Sequence, residues 1–443
     1  MVALHAPSLR RNSIARLLAD SYGLLASLVV AAVTARLLGP TGKGFYSTLI
    51  LLSNLVINVF STGLGESAIV LIGQGRAELQ KAASATLAAA LALCVVGAFS
   101  MFVVSHIVLD TAISREEAAI FYGSLLVLLH VPALAMVAFL NSLERIAAGA
   151  AVFIVYSTVT SLAIWALTSV VHLGVAGAVL GSVLGNVVTL VAILTLLHRS
   201  GVSLRPRWDP RYLRVAVRFG VAIQISSVLV LATGRLDLLI VYRIGDAASA
   251  GQYSIALTIG MLVGTIAIAL AYASFPRLAN LGDDAARELT ARTFRVGMIV
   301  VVAGSGVLAA LTPVAVPLLF GSAYQRAVTP SLILVGGGVL WSAQWLLARA
   351  AAARGSPMTL CTSFGVSLIV MVVLDIVLVA RHGELGAAVA AVCGTVAGLI
   401  VVVHSYRRDG WDWQSFRPRA DDVRALRVVA SDLGLGRRCQ QPL

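Results

Sequence analysis

The sequence of 443 residues has few charged side chains, since Asp, Glu, Lys and Arg together make up only 12% of it. A soluble protein of this size carries about 25% charged residues, which form the polar faces of its surface helices. Here 59% of the residues are hydrophobic, which is more than one soluble core can bury. The shortage of charge therefore excludes a large soluble helical enzyme and predicts a membrane protein.

Cysteine and histidine are also scarce. Cys94, Cys361, Cys393 and Cys439 lie far apart without a C-x-x-C pair, and the seven histidines include no H-x-x-x-H pair. Metal and redox sites need clustered ligands at short spacings. The sequence therefore predicts no metal site and no cofactor. We also expect no catalytic residues, and a protein that is not an enzyme.

Lysine is nearly absent, because Lys43 and Lys81 are the only lysines among the 33 basic residues, although the net charge is +13. Nucleic-acid binding requires a basic patch on a folded soluble face. The basic residues here lie instead in short segments between apolar runs, where such residues set membrane topology. We therefore expect the lipid bilayer, and no nucleic acid, as a partner.

Long apolar runs are what the sequence has in abundance. About 20 consecutive apolar residues are enough for a helix to cross a bilayer. The runs predict an all-α polytopic membrane protein with twelve transmembrane helices, near 15–37, 45–72, 83–107, 119–140, 149–171, 174–197, 216–241, 252–275, 293–312, 328–350, 358–380 and 385–405.

The basic residues between the runs predict the orientation. If the N-terminus is cytoplasmic, 26 of the 33 Lys and Arg residues lie on the cytoplasmic side and six on the other, with Arg235 inside a span. Cytoplasmic loops of membrane proteins carry such an excess. The protein is therefore predicted to have both termini in the cytoplasm.

The longest cytoplasmic loop separates two sets of six spans. We predict an N-terminal six-helix bundle at 1–198, a linker at 199–215, a C-terminal six-helix bundle at 216–405 and an Arg-rich cytoplasmic tail at 406–443. Trp411, Trp413 and Phe416 lie near the start of the tail. They are typical of an aromatic anchor at the membrane interface, followed by a solvated segment.

A short repeat relates the two predicted bundles. Residues 36–47 match residues 243–254 at Arg36/Arg243, Gly44/Gly251, Tyr46/Tyr253 and Ser47/Ser254, an offset of 207 residues. Each copy lies between the first two spans of its half. With six spans per half the two bundles are parallel repeats, a common construction of transporters. Arg36 and Arg243 are interpreted as helix-end anchors.

Five motifs occur in order along the spans. They are Ala-Arg-Leu-Leu-Gly-Pro at 35–40 with Gly-Phe-Tyr at 44–46, Gly-Leu-Gly at 63–65, Arg-Leu-Asp-Leu-Leu-Ile at 235–240, Phe-Pro-Arg-Leu at 275–278, and Leu-Phe-Gly-Ser-Ala-Tyr at 319–324. In these motifs the chain resembles the polysaccharide-transporter (Wzx-like) flippases of the multidrug/oligosaccharidyl-lipid/polysaccharide (MOP) superfamily.

The resemblance implies two bundles around a central cavity that opens alternately to each side of a bacterial cytoplasmic (inner) membrane. It implies that an undecaprenyl-diphosphate-linked oligosaccharide moves from the inner to the outer leaflet. A coupling ion, H+ or Na+, and polysaccharide assembly enzymes are the other expected partners.

Charges within spans are the candidate functional residues, because each costs roughly 2.5–3.5 kcal/mol at the centre of a membrane helix. Arg235 and Asp237 are the candidates for substrate binding: Arg235 for the diphosphate, with Asp237 either tuning the charge of Arg235 or coupling to an ion. A structural salt bridge to a neighbouring helix is the alternative.

Glu66, Asp20 and Asp375 are the candidates for ion coupling. Each also has a structural interpretation: Glu66 near a helix end, Asp20 in an ion pair with Arg16 one turn earlier, and Asp375 as a packed polar residue.

Other functions remain open. An ion-coupled multidrug exporter of the same fold would have a more aromatic and acidic cavity, yet aromatic residues make up only 7% of the chain. A non-transporting scaffold for cell-wall assembly would lack a cationic cavity. A membrane glycosyltransferase or polymerase would need a large loop with catalytic acids, and no loop is long enough.

The predicted orientation can be tested by cysteine labelling. Because residue 42 is predicted outside and residue 207 inside, a membrane-impermeant maleimide should label Gly42→Cys in intact cells and should not label Arg207→Cys. The parent chain provides the background. The opposite pattern of labelling would overturn the orientation.

Overall fold

The computed structural model describes residues 6–109, 117–143, 145–278, 283–417 and 422, apart from the side chains of residues 6–20, 146, 222, 266, 272–277 and 413. The described residues form twelve α-helices and no β-strand. The helices are α1 (Ala6–Ser61), α2 (Leu64–Gly73), α3 (Leu79–Val108), α4 (Glu117–Ser142), α5 (Ile146–Trp165), α6 (Gly174–Arg199), α7 (Pro210–Ile244), α8 (Ala247–Leu278), α9 (Asp283–Phe320), α10 (Val328–Ala353), α11 (Pro357–His382) and α12 (Glu384–Arg408).

These helices correspond to the predicted spans, with one difference near the N-terminus. The described chain has 11 helical segments long and apolar enough to cross a membrane, because the first two predicted spans lie in one segment, Ser21–Gly73. A straight helix of that length would measure about 80 Å, against a hydrocarbon core of roughly 30 Å. The segment is instead broken twice. The predicted all-α polytopic membrane fold is confirmed.

The first break is at Gly39, whose backbone is not helical (φ 65°, ψ 178°) although helix surrounds it. Glycine adopts a positive φ readily because it has no Cβ. Pro40 follows, and proline suits the first position of a helix because the N–H that it lacks would have no helical partner there. The second part of α1 therefore begins within the predicted loop between spans one and two.

The second break, at Thr62 and Gly63, divides the predicted span 45–72 into α1 and α2. Both residues have positive φ angles, 48° and 63°. A Cβ added to Gly63 would lie 2.4 Å from the carbonyl oxygen of Gly220 in α7, and one added to Gly220 would lie 2.4 Å from that of Thr62. The break therefore allows α7 to cross this point at backbone distance.

The chain divides into two compact units. The first comprises Met1–Ile255 and Val316–Arg326, and the second comprises Ala256–Ala315 and Ala327–Leu443. The predicted organisation into bundles at 1–198 and 216–405, with a linker at 199–215 and a tail at 406–443, stays a prediction.

Each unit has its own buried core. In the first unit, apolar side chains of α1, α3, α4 and α6 pack around Leu49, Met101 and Val127. In the second unit, Gln344 of α10 donates hydrogen bonds to the hydroxyls of Ser363 and Ser367 on α11, at 2.7 and 2.9 Å. Polar bonds between helices suit an interior in which unpaired polar groups are costly.

The two copies of the sequence repeat pack directly against each other. A Cβ on Gly44 would lie 1.8 Å from the carbonyl oxygen of Ala247, and one on Gly251 would lie 2.0 Å from that of Pro40. Ala247 occupies in the second copy the position that Pro40 occupies in the first. The contact is therefore reciprocal, and only glycine permits it on either side.

The repeat arginines bind carbonyl groups at the ends of other helices. Arg36 donates from Nε to the carbonyl of Leu319, at 2.9 Å, near the end of α9. Arg243 donates from Nη1 to the carbonyl of Val108, the last residue of α3, at 3.2 Å. The last carbonyls of a helix lack partners within it and carry partial negative charge. The interpretation of both arginines as helix-end anchors is confirmed.

The start of the tail packs against the second unit. Arg287 of α9 donates a hydrogen bond to the carbonyl of Asp409 at 3.1 Å, and Arg295, 3% exposed, pairs with Asp422 at 2.8 Å. Trp411 and Phe416 are buried against protein. The predicted membrane-interface anchor is therefore wrong for these two residues. The side chain of Trp413 lies outside the described residues, as do residues 418–421 and 423–443 of the predicted tail.

Substitution of the repeat glycines should destabilise the protein. Gly44→Ala and Gly251→Ala each place a Cβ on a backbone oxygen, and overpacking of this kind costs about 1–3 kcal/mol or more. Gly306→Ala is the matched control, because this helical glycine has open space around its Cβ position. The thermal unfolding midpoint of the purified protein should fall for the first two variants and hold or rise for the control. Equal midpoints in all three would contradict the close packing.

Candidate functional site

A carboxylate is buried beside the second copy of the repeat. Asp237 of α7 is 1% exposed. Its Oδ2 accepts a hydrogen bond from the hydroxyl of Tyr253 at 2.5 Å, and its Oδ1 accepts one from the backbone N–H of Leu238 at 2.8 Å. Tyr253 is one of the four residues that match between the two copies of the repeat, and it is completely buried. The repeat tyrosine of α8 therefore stabilises the acid of α7.

Arg235 precedes this acid by two residues on α7. Two residues along a helix turn by about 200°, so the side chains leave the helix in different directions. Arg235 is half-buried whereas Asp237 is buried. The charges of the two groups are nevertheless close enough to attract each other. Asp237 thus offsets part of the charge of Arg235 while its own oxygens bond elsewhere.

Lys43 adds a second cation from the first copy of the repeat. Its side chain is 5% exposed. Its Nζ donates a hydrogen bond to Oγ1 of Thr34 at 2.9 Å and lies 5.2 Å from the ring centroid of Tyr46. It also lies close enough to Arg235 for the two positive charges to repel. Among the described residues no carboxylate forms an ion pair with Lys43.

These side chains form a cationic cluster, defined as Lys43, Arg235, Asp237, Thr34 and Tyr253. When ionised it holds two positive charges and one negative charge. Taking a charge out of water costs several kcal/mol unless a partner compensates it. A cluster with surplus positive charge therefore favours an anion, and ammonium and guanidinium groups are suited to phosphate oxygens. The cluster can bind and orient an anionic group.

Lys43 is not among the residues that the sequence predicts to be functional. The polar segment 38–44 predicts a loop between spans one and two, whereas in the structure the helix resumes at Pro40 and Lys43 is buried. One signal could have identified it. Lys43 is one of only two lysines in a chain that otherwise uses arginine.

The ion-coupling candidates are distributed over both units. Glu66 is exposed in the first turn of α2, where a negative charge suits the helix dipole. Asp375 is completely buried on α11, in the second unit. Asp20 lies in α1, and its side chain is outside the described residues. Within the described part of the chain, no group of three or more His, Cys, Asp or Glu side chains could hold a metal ion.

Comparison with known proteins identifies relatives of the chain. A family model described as "Polysaccharide biosynthesis protein" matches residues 9–281. None of the curated proteins matches the sequence.

Solved structures of the MOP superfamily share the fold. The lipid II flippase MurJ in an inward closed conformation has a TM-score of 0.71 at 12% identity, covering 96% of this chain and 94% of that one. An inward-facing multidrug resistance MATE family transporter has a TM-score of 0.70 at 16% identity, covering 89% and 98%. A MOP superfamily transporter from Pyrococcus furiosus has a TM-score of 0.62 at 15% identity, covering 90% and 95%. At these identities the likeness shows the fold alone.

The buried bond between α7 and α8 can be tested by removing one hydroxyl. Tyr253→Phe leaves Oδ2 of Asp237 without its donor, and a buried group left unpaired costs about 1–3 kcal/mol or more. The thermal unfolding midpoint should fall. Tyr122→Phe is the control, because its hydroxyl forms no hydrogen bond among the described residues and its loss should leave the midpoint unchanged. Equal midpoints for the two variants would contradict the bond.

Proposed function

The chain belongs to the polysaccharide biosynthesis protein family, and we propose that it is a flippase for a lipid-linked oligosaccharide. It is a multi-span membrane protein with the fold of MOP superfamily transporters. We propose an undecaprenyl-diphosphate-linked glycan as the substrate class. The glycan moves from the inner to the outer leaflet of the bacterial cytoplasmic membrane by alternating access, and both termini lie in the cytoplasm.

The surplus positive charge of the cationic cluster carries this proposal. The headgroup of such a lipid is a diphosphate, whose negative charge makes passage through hydrocarbon unfavourable. Lys43 and Arg235 would offset that charge. Asp237 contributes one negative charge against the two positive charges, so the cluster keeps net positive charge, and Tyr253 and Leu238 hold the acid in place. In this proposal Arg235 and Lys43 contact the diphosphate, and Asp237 positions Arg235.

In this proposal the contact between the two copies of the repeat opens during transport, so that α1 and α8 separate. Gly44 and Gly251 hold α1 and α8 at backbone distance, and Lys43 directly precedes Gly44. When these helices separate, the surroundings of Lys43 become wetter and its hold on an anion weakens, because water screens charge. Release on that side would follow. Glu66, Asp20 and Asp375 remain proposed positions for a coupling ion, H+ or Na+, and assembly enzymes remain proposed partners.

The same observation disfavours the alternatives. A multidrug exporter of this fold would be expected to have an acidic, aromatic site, whereas this cluster is cationic. A scaffold derived from a flippase would be expected to have lost its buried cations, since such charges are costly without a use. The family and the surplus charge together therefore favour lipid-linked glycan transport.

Removal of either cation should stop glycan export. Arg235→Ala and Lys43→Met each delete a charge-assisted contact with the diphosphate, worth about 1.5–3 kcal/mol or a tenfold loss or more. The measurement is surface glycan in cells whose own gene is replaced by the variant, with membrane protein level determined in parallel.

Arg218→Ala is the matched control, because Arg218 is an exposed arginine on the same helix, α7. Export should be normal for this variant. Normal export by both Arg235→Ala and Lys43→Met at normal protein level would overturn the role of the cluster.

A further inference from the structure

A histidine lies between helices of the first unit, away from the charges discussed so far. His130 of α4 is half-buried, and its Nδ1 lies 2.6 Å from Oδ1 of Asn186 on α6. Asn186 is 1% exposed. Ionisable residues within membrane spans are rare and are usually functional. The role of this pair is not explained by anion binding.

The geometry specifies which ring nitrogen carries the proton. The amide nitrogen of Asn186 donates to the backbone carbonyl of Ser182 at 2.9 Å, so its oxygen faces the ring and accepts from Nδ1–H. The other nitrogen, Nε2, forms no hydrogen bond among the described residues. A neutral imidazole with Nδ1–H has a lone pair on Nε2 that takes up a second proton. The pair therefore holds the ring in the form that can be protonated.

The helix around this residue also lacks one backbone hydrogen bond. Pro132 lies within α4, two residues after His130. Proline has no N–H to donate to the carbonyl four residues earlier, which here belongs to Leu128. That carbonyl oxygen lies within the same turn as His130. A positive charge on the ring would be stabilised by such an acceptor, and water that reaches it would also reach the ring.

Polar contacts connect the pair to the cationic cluster. Ser182, whose carbonyl holds Asn186, interacts through its side chain with the hydroxyl of Tyr46 on α1. The ring of Tyr46 in turn lies under the ammonium of Lys43. Tyr156 of α5 interacts with both Asn186 and Tyr46. A contiguous path therefore runs from His130 to Lys43 across α4, α6 and α1.

Few other titratable groups lie in the interior of the helices that pack against α4. In the described residues, the other titratable groups of α4 and of these helices are Tyr22, Arg36, Lys43 and Tyr46 of α1, Glu66 of α2, Lys81, Cys94 and His106 of α3, Glu117 and Tyr122 of α4 itself, Tyr156 of α5, and His198 and Arg199 at the end of α6. All of them except Lys43, Tyr46, Cys94, Tyr122 and Tyr156 are exposed. Tyrosine and cysteine are ordinarily neutral near pH 7. His130 is thus the group in this interior whose ordinary titration range includes physiological pH.

We propose that His130 is a proton-binding site that is thermodynamically linked to the anion site at Lys43 and Arg235. The inference rests on the proposed function and names its coupling ion as the proton. A positive charge on His130 acts on the cationic cluster through the polar path of Asn186, Ser182 and Tyr46, so protonation tightens anion binding. By reciprocity, a bound anion favours protonation of His130. A purely structural role for the bond to Asn186 would produce no such linkage.

The test is the binding of radiolabelled undecaprenyl diphosphate to the purified full-length chain in nanodiscs, measured from pH 5 to pH 8. For the wild type we expect affinity to rise by about fivefold or more toward pH 5, a typical allosteric coupling. His130→Asn keeps a donor at the position of Nδ1 but cannot take up a proton, so most of that rise should disappear. The diphosphate also titrates, so the comparison between variants isolates the protein's contribution.

His198→Asn is the matched control, because it removes an exposed histidine from the same helix that carries Asn186, and it should retain the wild-type rise. Tyr46→Phe is the second variant. It keeps the aromatic ring beneath Lys43 and removes the hydroxyl that reaches Ser182, so it should reduce the rise even if His130→Asn does not fold.

The outcomes separate the two proposals. A pH dependence in His130→Asn equal to that of the wild type would overturn the proton site and leave the flippase proposal intact. If His130→Asn does not fold, a wild-type pH dependence in Tyr46→Phe overturns the linkage. Absence of undecaprenyl diphosphate binding at every pH would contradict the proposed function itself, and the linkage with it.

Discussion

The close approach of two glycines to two backbone carbonyls is the contact on which the arrangement of the first unit depends. Gly44 lies against Ala247, and Gly251 lies against Pro40, at separations that leave no space for a Cβ. Each glycine belongs to one copy of the repeat. Through this contact the start of α8 packs against the part of α1 that begins at Pro40. Side chains that flank the glycines are thereby brought into one region, including Lys43 before Gly44 and Tyr253 after Gly251.

The two copies share this backbone contact but differ in charge. At an offset of 207 residues, Lys43 corresponds to Ala250, and Asp237 corresponds to Val30. The cation of the cluster from α1 and the acid from α7 therefore have no counterparts in the other copy. The packing function of the repeat is duplicated, whereas the charges are not. This is expected if the glycines serve the fold and the charges serve a ligand that occupies one position.

Burial explains why these charges belong together. Asp237 is stabilised by Tyr253 and by the backbone of Leu238, and Lys43 has Thr34 and the ring of Tyr46. Asp237 offsets part of the charge of Arg235, so two cations share one acid and the cluster keeps net positive charge when ionised. In a low-dielectric interior, surplus charge of one sign raises the affinity for a ligand of the other sign. Polar contacts from Tyr46 through Ser182 to Asn186 connect the cluster to His130.

The sequence by itself determined the membrane class, the helical content and the duplication, because these follow from apolar runs about 20 residues long and from a repeated motif. The sequence also predicted the anchoring role of Arg36 and Arg243, and it made Arg235 and Asp237 candidates for substrate binding. Only the tertiary structure decided that Lys43 is buried, that Tyr253 bonds to Asp237 and that His130 pairs with Asn186. The last two contacts each join residues on different helices. Hydropathy indicates that a helix is buried, but it does not indicate which neighbouring helix it contacts. The structure also decided where the helix begins after Gly39, since the polar segment 38–44 predicts a loop whereas the helix resumes at Pro40 within it.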